Sequence, residues 1–441
     1  MLAEAAKAGQ SIQAISTGRN WGFGSFLPFR DGTAIVDFRN WREIGPLDRD
    51  TLSVRIQPGV TQGDLHEWLQ EHAPDLAFNV TGAGTQTSII GCALERGLGY
   101  AGEVDRSIFG LEVMLSDGTS LQPDPEWFHP ARDHASGPLF DGLFFQSNYG
   151  IVTAARVRLR VRQEREYAVI VNGALAHVLG VLRECYRRQI LTLPTHVSEP
   201  GRSTRVAMGR LRELRGQNVS PEEVTRLFPE KSDHVAITAQ HGQSRIVNAC
   251  WRELKSLLPS RTTAWRMDAT RGRQLLRLAR LLGVRGQADR LETFLPLLGL
   301  TWGVPSDIGL HSLELSQKDL LKADRATEGA IYGNGVSALD AGHAQRVINI
   351  VRGHWPDAAC TYIVMNAHCL VTIFTLHFRD HEVPLVKKAE RAILDNLRAN
   401  GYPPYRLGIN LAGPASGEIH ARLKAALDPA KIIAPGRYEN A

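Results

Sequence analysis

Short runs of apolar and β-branched residues, separated by glycine-rich connections, make up the chain from Gln10 to about Val161. Runs of this length, bounded by turn residues, are typical of strands in a partly buried sheet. They predict five strands, at Ser11–Ser16, Ala34–Phe38, Leu52–Gln57, Leu111–Leu115 and Ile151–Val161. Asp117-Gly118 follows one of these runs and predicts a hairpin turn there.

One helix interrupts this series of strands. Apolar residues at helical spacing predict it over Gln62–Glu71. Thr61 is a suitable N-cap, and Asp64 takes the place of the glutamate in a capping box. The first third of the chain is therefore predicted to be mixed α+β.

Beyond about Arg162 the apolar spacing becomes mainly helical. Helices are predicted at Gly173–Tyr186, Val247–Leu258, Ala269–Leu282, Leu385–Asn400 and Ile419–Ala426. The sequence predicts one long strand over Tyr362–Phe378. Gly401 is predicted to end the helix Leu385–Asn400. The predicted fold class is α+β.

Length and composition indicate a globular protein of about two domains. The chain has 441 residues, 43% hydrophobic and 22% charged. A net charge of +5 is a mild imbalance at this length, so nucleic acid is not predicted as a partner. The five cysteines are scattered, which predicts no zinc site or disulfide framework and favours a cytoplasmic setting. We find no apolar run of about 18 residues and predict no membrane span.

The glycine-rich connection Ser16–Gly24 combines three glycines with Arg19 and Asn20 after a predicted strand. Glycines let backbone N–H groups approach an anion closely, so the composition suits a phosphate, although an ordinary turn is the alternative. Gly97–Gly102 has the letters GxGxxG, but it follows a helical segment where a Rossmann site needs a strand. Several further glycine-rich connections in the first third together indicate a large bound ligand.

A set of motifs closely resembles the vanillyl-alcohol oxidase/para-cresol methylhydroxylase flavoprotein family, and the motifs occur in the family's order. They are Ser16–Gly24, Val54–Thr61, Leu94–Tyr100, Gly110–Val113, Asp141–Thr153, and Leu427–Pro429 with Ala434–Gly436. The resemblance implies a discontinuous FAD-binding domain, residues 1–165 and 402–441, and a cap domain with an antiparallel sheet, residues 166–401. The chain begins near the first loop, so a truncated N-terminal subdomain or a differently placed start codon is expected.

The resemblance also implies which residues bind FAD. The pyrophosphate segment would be Gly18 to Gly22, and further contacts would come from three other segments. The implied cofactor residues are Gly18, Arg19, Asn20, Trp21, Gly22, Pro58, Gly59, Ser88, Gly91, Gly150, Ile151 and Val152. A dianionic pyrophosphate needs convergent N–H donors and a cation, which this set supplies.

Tyr405 and Arg406 resemble the pair that stabilises a substrate phenolate in the phenol-oxidising branch, although a surface Tyr-Arg is the alternative. An arginine and a tyrosyl hydroxyl both favour an anion. Asp105 lies near the position of the carboxylate beside the flavin, where it would act as a base or merely cap a turn. His66 occupies the position of a second phenolate-binding tyrosine, which departs from the family pattern; a solvated histidine is the alternative.

Covalent attachment of FAD is left open by the sequence. The predicted strand Ile363–Leu370 resembles the segment that supplies the flavin-linking histidine in the oxidase. The alignment puts Cys369 or Leu370 at that position and His368 one or two residues away, and a shift of one residue reverses the face of a strand. Noncovalent FAD is therefore favoured over a histidyl link.

The predicted function is an FAD-dependent oxidoreductase that transfers a hydride from a small aromatic or phenolic substrate to flavin N5, with oxygen or another acceptor reoxidising the flavin. Two alternatives remain. One is a flavoprotein of the same fold that tailors a carboxylate-bearing metabolite held by Arg406, and the other is a catalytically weak flavin-binding scaffold. A homodimer is compatible with the family.

Overall fold

The computed structural model describes residues 2–19, 21, 23–24, 26–123, 137–216, 219–228, 233–313, 329–408 and 417–439. Its α-helices are Leu2–Ala8, Gln62–His72, Ile89–Leu94, Leu175–Arg187, Arg202–Arg215, Pro221–Leu227, Ser244–Ser256, Ala269–Leu281, Arg285–Gly299, Ala341–His354, Val383–Ala399 and Gly417–Leu427. The capping box predicted for Gln62–His72 is confirmed. Thr61 accepts the N–H of Asp64, and the Asp64 carboxylate accepts the N–H of Thr61.

An antiparallel sheet of five strands is built from the first third of the chain. Its described strands, in spatial order, are Ile44–Asp48, Ser53–Ile56, Ile151–Arg158, Ile108–Met114 and Ser120–Leu121. The predicted hairpin at Asp117-Gly118 joins the last two. The buried carboxylate of Asp141 accepts the N–H groups of Gly110 and Leu111 at 2.7 and 3.2 Å, and so ties two of the sequence motifs together.

A second sheet, of seven described strands, is entirely antiparallel. In spatial order the strands are Thr263–Asp268, Arg165–Gly173, His234–Gly242, Thr195–Ser198, Ala359–Val364, Leu370–His377 and Ala330–Ser337. Helices from the middle of the chain cover it, and Tyr362 and Phe374 are fully buried in its core. This antiparallel sheet confirms the predicted α+β fold class with a second, cap-like body.

Several elements differ from the sequence prediction, and two of the differences have a clear physical reason. Tyr362–Phe378 is not one strand, because Asn366 accepts the N–H groups of His368 and Cys369 and turns the chain between two strands. The predicted helix at Gly173–Tyr186 begins later, at Leu175, because Gly173 pairs with His234 at the end of a strand.

The C-terminal tail packs against the first strand of the chain. Ile12–Ile15 pairs in parallel with Ala34–Asp37, and Ile433 bridges to Ile12 on its other side. Buried Lys424 holds the tail in place by donating to the carbonyl oxygens of Asn148 and Ile433, at 2.6 and 2.7 Å. The tail is thus fixed beside the loop that leads into the strand at Ile151.

Candidate functional site

A cavity lies among the first loop, the Ser88–Leu94 segment, the Asn148–Val152 segment and the C-terminal tail. We call it the cofactor cavity. The predicted cofactor residues that line it are Gly18, Arg19, Trp21, Pro58, Ser88, Gly91, Gly150, Ile151 and Val152. Four segments that are distant in sequence are therefore brought together by the fold.

One predicted cofactor residue is placed differently. Gly59 does not line the cavity. It packs against backbone instead, since a Cβ there would lie 2.5 Å from the carbonyl oxygen of Phe38. Asn20 and Gly22 lie outside the described residues.

Hydrogen bonds fix these segments relative to one another. The Ser88 hydroxyl donates to the carbonyl of Pro58 at 2.6 Å and accepts the N–H of Gly91 at 3.0 Å. The N–H of Ser88 donates to the Thr17 hydroxyl of the first loop. Gly18 has φ of 75°, a left-handed conformation that glycine adopts without strain.

The charge at one end of the cofactor cavity comes from Glu95 and two arginines. Arg437 donates to Glu95 at 3.0 Å, Arg406 Nε lies 3.4 Å from the same carboxylate, and the Tyr438 hydroxyl donates to it. Burial alone raises the pKa of Glu95, but Arg437 and Arg406 outweigh it and hold that pKa below its ordinary value.

The donor set suits FAD. Cationic Arg19 and the hydroxyl of Ser16 would receive a dianionic pyrophosphate. Apolar side chains line other parts of the cavity and suit a flat ring system: Ile15, Ile90, Ile151 and Val152.

A second cavity lies between the seven-stranded sheet and the segment from Thr81 to Tyr100, and we call it the substrate cavity. It shares Trp21, Ala83, Cys92 and Arg406 with the cofactor cavity. Most of its other walls are apolar, with Phe23, Leu98, Val206, Ile237, Phe294, Leu297, Leu300, Ile363 and Ile373 among them. The polar groups in it are few, which is typical of a site for a small organic ligand.

Tyr405 and Arg406 both line the substrate cavity, and both bodies of the protein position them. Buried Asn334 of the seven-stranded sheet donates to the Arg406 carbonyl at 2.9 Å and accepts the Tyr405 N–H at 2.7 Å. Gln146, from the side of the cofactor cavity, donates to the Tyr405 carbonyl at 2.8 Å. The Tyr405 hydroxyl has no hydrogen-bond partner among the described residues, and burial raises its pKa to about 12, so it is a neutral donor at pH 7.

Tyr100 and His196 form another polar wall of the substrate cavity. Their rings stack with centroids 3.9 Å apart and an interplanar angle of 6°. Burial lowers the pKa of His196 to about 4 and raises that of Tyr100 to about 12, so both side chains are neutral at pH 7. Neutral His196 then donates from Nε2 to the Gly99 carbonyl, 3.2 Å away.

Three predicted site residues lie outside both cavities. His66 is on the helix Gln62–His72, and burial and then the nearby charge of Arg162 lower its pKa. Asp105 lies 3.8 Å from Arg96, and His368 is exposed in the turn between two strands. The fold therefore separates these side chains from the cavities that Tyr405, Arg406 and the cofactor residues line.

Several residues that line the two cavities were not predicted from the sequence. Glu95 stands inside the Leu94–Tyr100 motif, and that position is the signal that could have marked it. Tyr100 ends the same motif, whereas His196 and Arg202 come from segments with no motif that marks them. Only the packing of the seven-stranded sheet against the segment from Thr81 to Tyr100 brings the three side chains together.

Comparison with known proteins adds three findings. The FAD binding domain family matches residues 1–122. A 1'-carboxy-chondrochloren decarboxylase from Chondromyces crocatus is 28% identical over 98% of this chain and 86% of its own length. The 4-cresol dehydrogenase [hydroxylating] flavoprotein subunit from Pseudomonas putida is 23% identical over 97% of this chain and 82% of its own length.

A solved structure of p-cresol methylhydroxylase with substrate bound shares the fold. Its TM-score is 0.80 at 18% sequence identity, and the match covers 100% of this chain and 86% of that one. In the part of the chain that the structure describes, we find no helix with the length and apolarity needed to cross a membrane. The chain is an FAD-binding protein of the oxidoreductase class, and the resemblance to vanillyl-alcohol oxidase/para-cresol methylhydroxylase flavoproteins that its motifs predict is confirmed.

Proposed function

We propose that this protein oxidises a small aromatic, most simply phenolic, substrate in the substrate cavity. The observation that carries the proposal is that the two cavities adjoin, since Arg406, Trp21, Ala83 and Cys92 line both. Bound FAD would accept a hydride at N5 and pass the electrons to oxygen or another acceptor. The apolar walls would exclude water and bind an aromatic ring.

In this proposal the nine predicted residues that line the cofactor cavity hold FAD, with Arg19 facing the pyrophosphate. The cofactor is noncovalent, because His368 is exposed and lines neither cavity. We also propose the domain division of residues 1–165 with 402–441 against 166–401, which the packing of the tail on Ile12 supports. Acid precipitation would test the noncovalent cofactor, since a linked flavin would stay in the pellet.

Tyr405 and Arg406 would bind the phenol oxygen. Tyr405 has a hydroxyl to donate, and a guanidinium group beside the phenol oxygen favours a phenolate over a neutral phenol. A phenolate releases electron density toward the carbon that loses hydride. Since His66 and Asp105 line neither cavity, the proposal gives neither of them a direct contact with the substrate.

The test is anaerobic bleaching of the flavin absorbance by a panel of phenols, aromatic alcohols and amines. Purified protein should be yellow, and a 4-alkylphenol should bleach it faster as pH rises toward the pKa of the phenol. Tyr405→Phe should slow bleaching roughly tenfold or more, as expected for loss of a hydrogen bond made to a developing charge. Tyr402→Phe is the matched control, because that hydroxyl bonds to Arg346 and lies outside the cavity.

A colourless protein that takes up no FAD would contradict the proposal. So would a yellow protein that no member of the panel bleaches, and that result would favour the flavin-binding scaffold.

A second candidate is the conversion of a carboxylate-bearing metabolite, and the similarity to a decarboxylase over nearly the whole chain favours it. Release of carbon dioxide together with flavin bleaching would separate this candidate from simple oxidation.

A further inference from the structure

Arg202 is a cation in the substrate cavity that the sequence motifs do not mark. It is the first residue of the helix Arg202–Arg215 and enters the cavity from the side of the seven-stranded sheet. Its Nη1 donates to the hydroxyl of Thr361 at 2.6 Å, and Thr361 is a neutral acceptor that also lines the cavity. One neutral partner uses a single one of the five N–H donors of a guanidinium group.

No carboxylate among the described residues lies within ion-pair distance of Arg202. The nearby acid Glu199 is already engaged, because Arg352 and the N–H of Cys360 both donate to it at 2.8 Å. Burial lowers the pKa of the Arg202 guanidinium, as does the charge of Arg205, whereas Tyr332, Tyr100 and, most weakly, Glu199 raise it. A guanidinium in an apolar cavity stays charged, so it is stabilised most by an anion that enters with the ligand.

Arg202 and Arg406 differ in how their charge is balanced. Arg406 shares Glu95 with Arg437, whereas Arg202 has no acidic partner in the described chain. The planar fork of an arginine matches the two oxygens of a carboxylate better than the single oxygen of a phenolate. The Tyr100 hydroxyl also lines the cavity as a neutral donor without a partner in the described chain, and would add a hydrogen bond to the same kind of group.

We infer that Arg202 binds a carboxylate group of the substrate, so that the substrate class is an aromatic acid. The inference rests on the proposed function in one respect, namely that the substrate cavity is where the substrate binds. Tyr405 and Arg406 would then contact the ring end of the molecule and Arg202 its acidic side chain.

The experiment compares matched acids and amides on the FAD-loaded protein by titration calorimetry. The probes are 4-hydroxyphenylacetate and 3-(4-hydroxyphenyl)propanoate, each against its neutral amide. The wild-type protein should bind the acid of at least one pair more tightly. Arg202→Gln should lower the affinity for that acid by roughly tenfold to a hundredfold, as expected for loss of a charged hydrogen bond. It should change the affinity for the amide by less than about threefold.

Two further variants keep the result interpretable. Arg202→Lys should recover part of the preference for the acid, because it keeps a point charge without the fork. Arg205→Gln removes the same charge three residues along the same helix, where the side chain does not line the cavity, and should leave the preference unchanged.

Equal binding of acid and amide by the wild-type protein would overturn the inference, as would a preference for the acid that survives Arg202→Gln. These outcomes are separable from failure of the proposed function. Bleaching by neutral 4-alkylphenols without any preference for the acid would sink the inference alone. Arg202-dependent acid binding in a protein that no substrate bleaches would sink the proposed oxidation alone.

Discussion

Glu95 is the carboxylate that pairs with both Arg437 and Arg406 at the cofactor cavity. Glu95→Gln removes its charge while keeping its shape. The side chain of Glu95 is 20% exposed, and those of its partners Arg437 and Arg406 are 7% and 11% exposed. Removing one member of such a buried group leaves the others uncompensated and costs about 3–5 kcal/mol. The new amide would also turn an N–H₂ group toward one of the donors that now bind the carboxylate.

The measurement is urea denaturation of each protein at the same saturating FAD concentration, because ligand binding itself raises apparent stability. A fall in the free energy of unfolding of about 3–5 kcal/mol is expected at pH 7. Glu184→Gln is the matched control. Glu184 also has two arginine partners, Arg187 and Arg188, both at 3.5 Å, but it is 38% exposed and should lose no more than about 1 kcal/mol.

The effect of Glu95→Gln should also depend on pH. Because the folded pKa of Glu95 is lowered, its stabilisation is fully present above its unfolded pKa of about 4.3 and is lost as pH falls through the lowered folded value. The two proteins should therefore converge in stability at strongly acidic pH. A loss below about 1 kcal/mol at pH 7, equal to that of the Glu184 control, would refute the reasoning.

Three other predictions follow from the same structure. The pKa of His196 is about 4 in the folded protein and about 6.5 when unfolded, so the free energy of unfolding should fall as pH drops from the higher value to the lower. The fall should be gentler in His196→Gln. Equal slopes of unfolding free energy against pH in the two proteins, measured by urea denaturation, would contradict this. Arg19→Gln should weaken FAD binding roughly tenfold or more without changing the stability of the FAD-free protein, as measured by fluorescence titration and thermal melting. Lys424→Met leaves Asp428 buried without its 2.7 Å partner, so it should destabilise the protein by about 3–5 kcal/mol and speed FAD loss.

Local features of the fold could be predicted from the sequence because neighbouring residues decide them. The capping box at Thr61 and Asp64 and the hairpin at Asp117-Gly118 need no distant partner. The turn at Met365–Cys369 is not apparent from the sequence, because Asn366, which forms it through its side chain, stands with His368 inside a run that is otherwise mostly apolar. An apolar run does not show where a strand stops when a single polar side chain makes the turn.

The sequence by itself determined the FAD-binding motifs and their order, and with them the α+β fold class. Glycine-rich connections carry their conformation in their own residues, and nine of the predicted contacts do line one cavity. Only the tertiary structure decided which charges face which groups. Glu95, Arg406 and Arg437 come from three distant segments, and Arg202 reaches the substrate cavity only because the seven-stranded sheet packs over it. Electrostatic partners depend on distances in space of a few ångströms, which spacing along the chain does not specify.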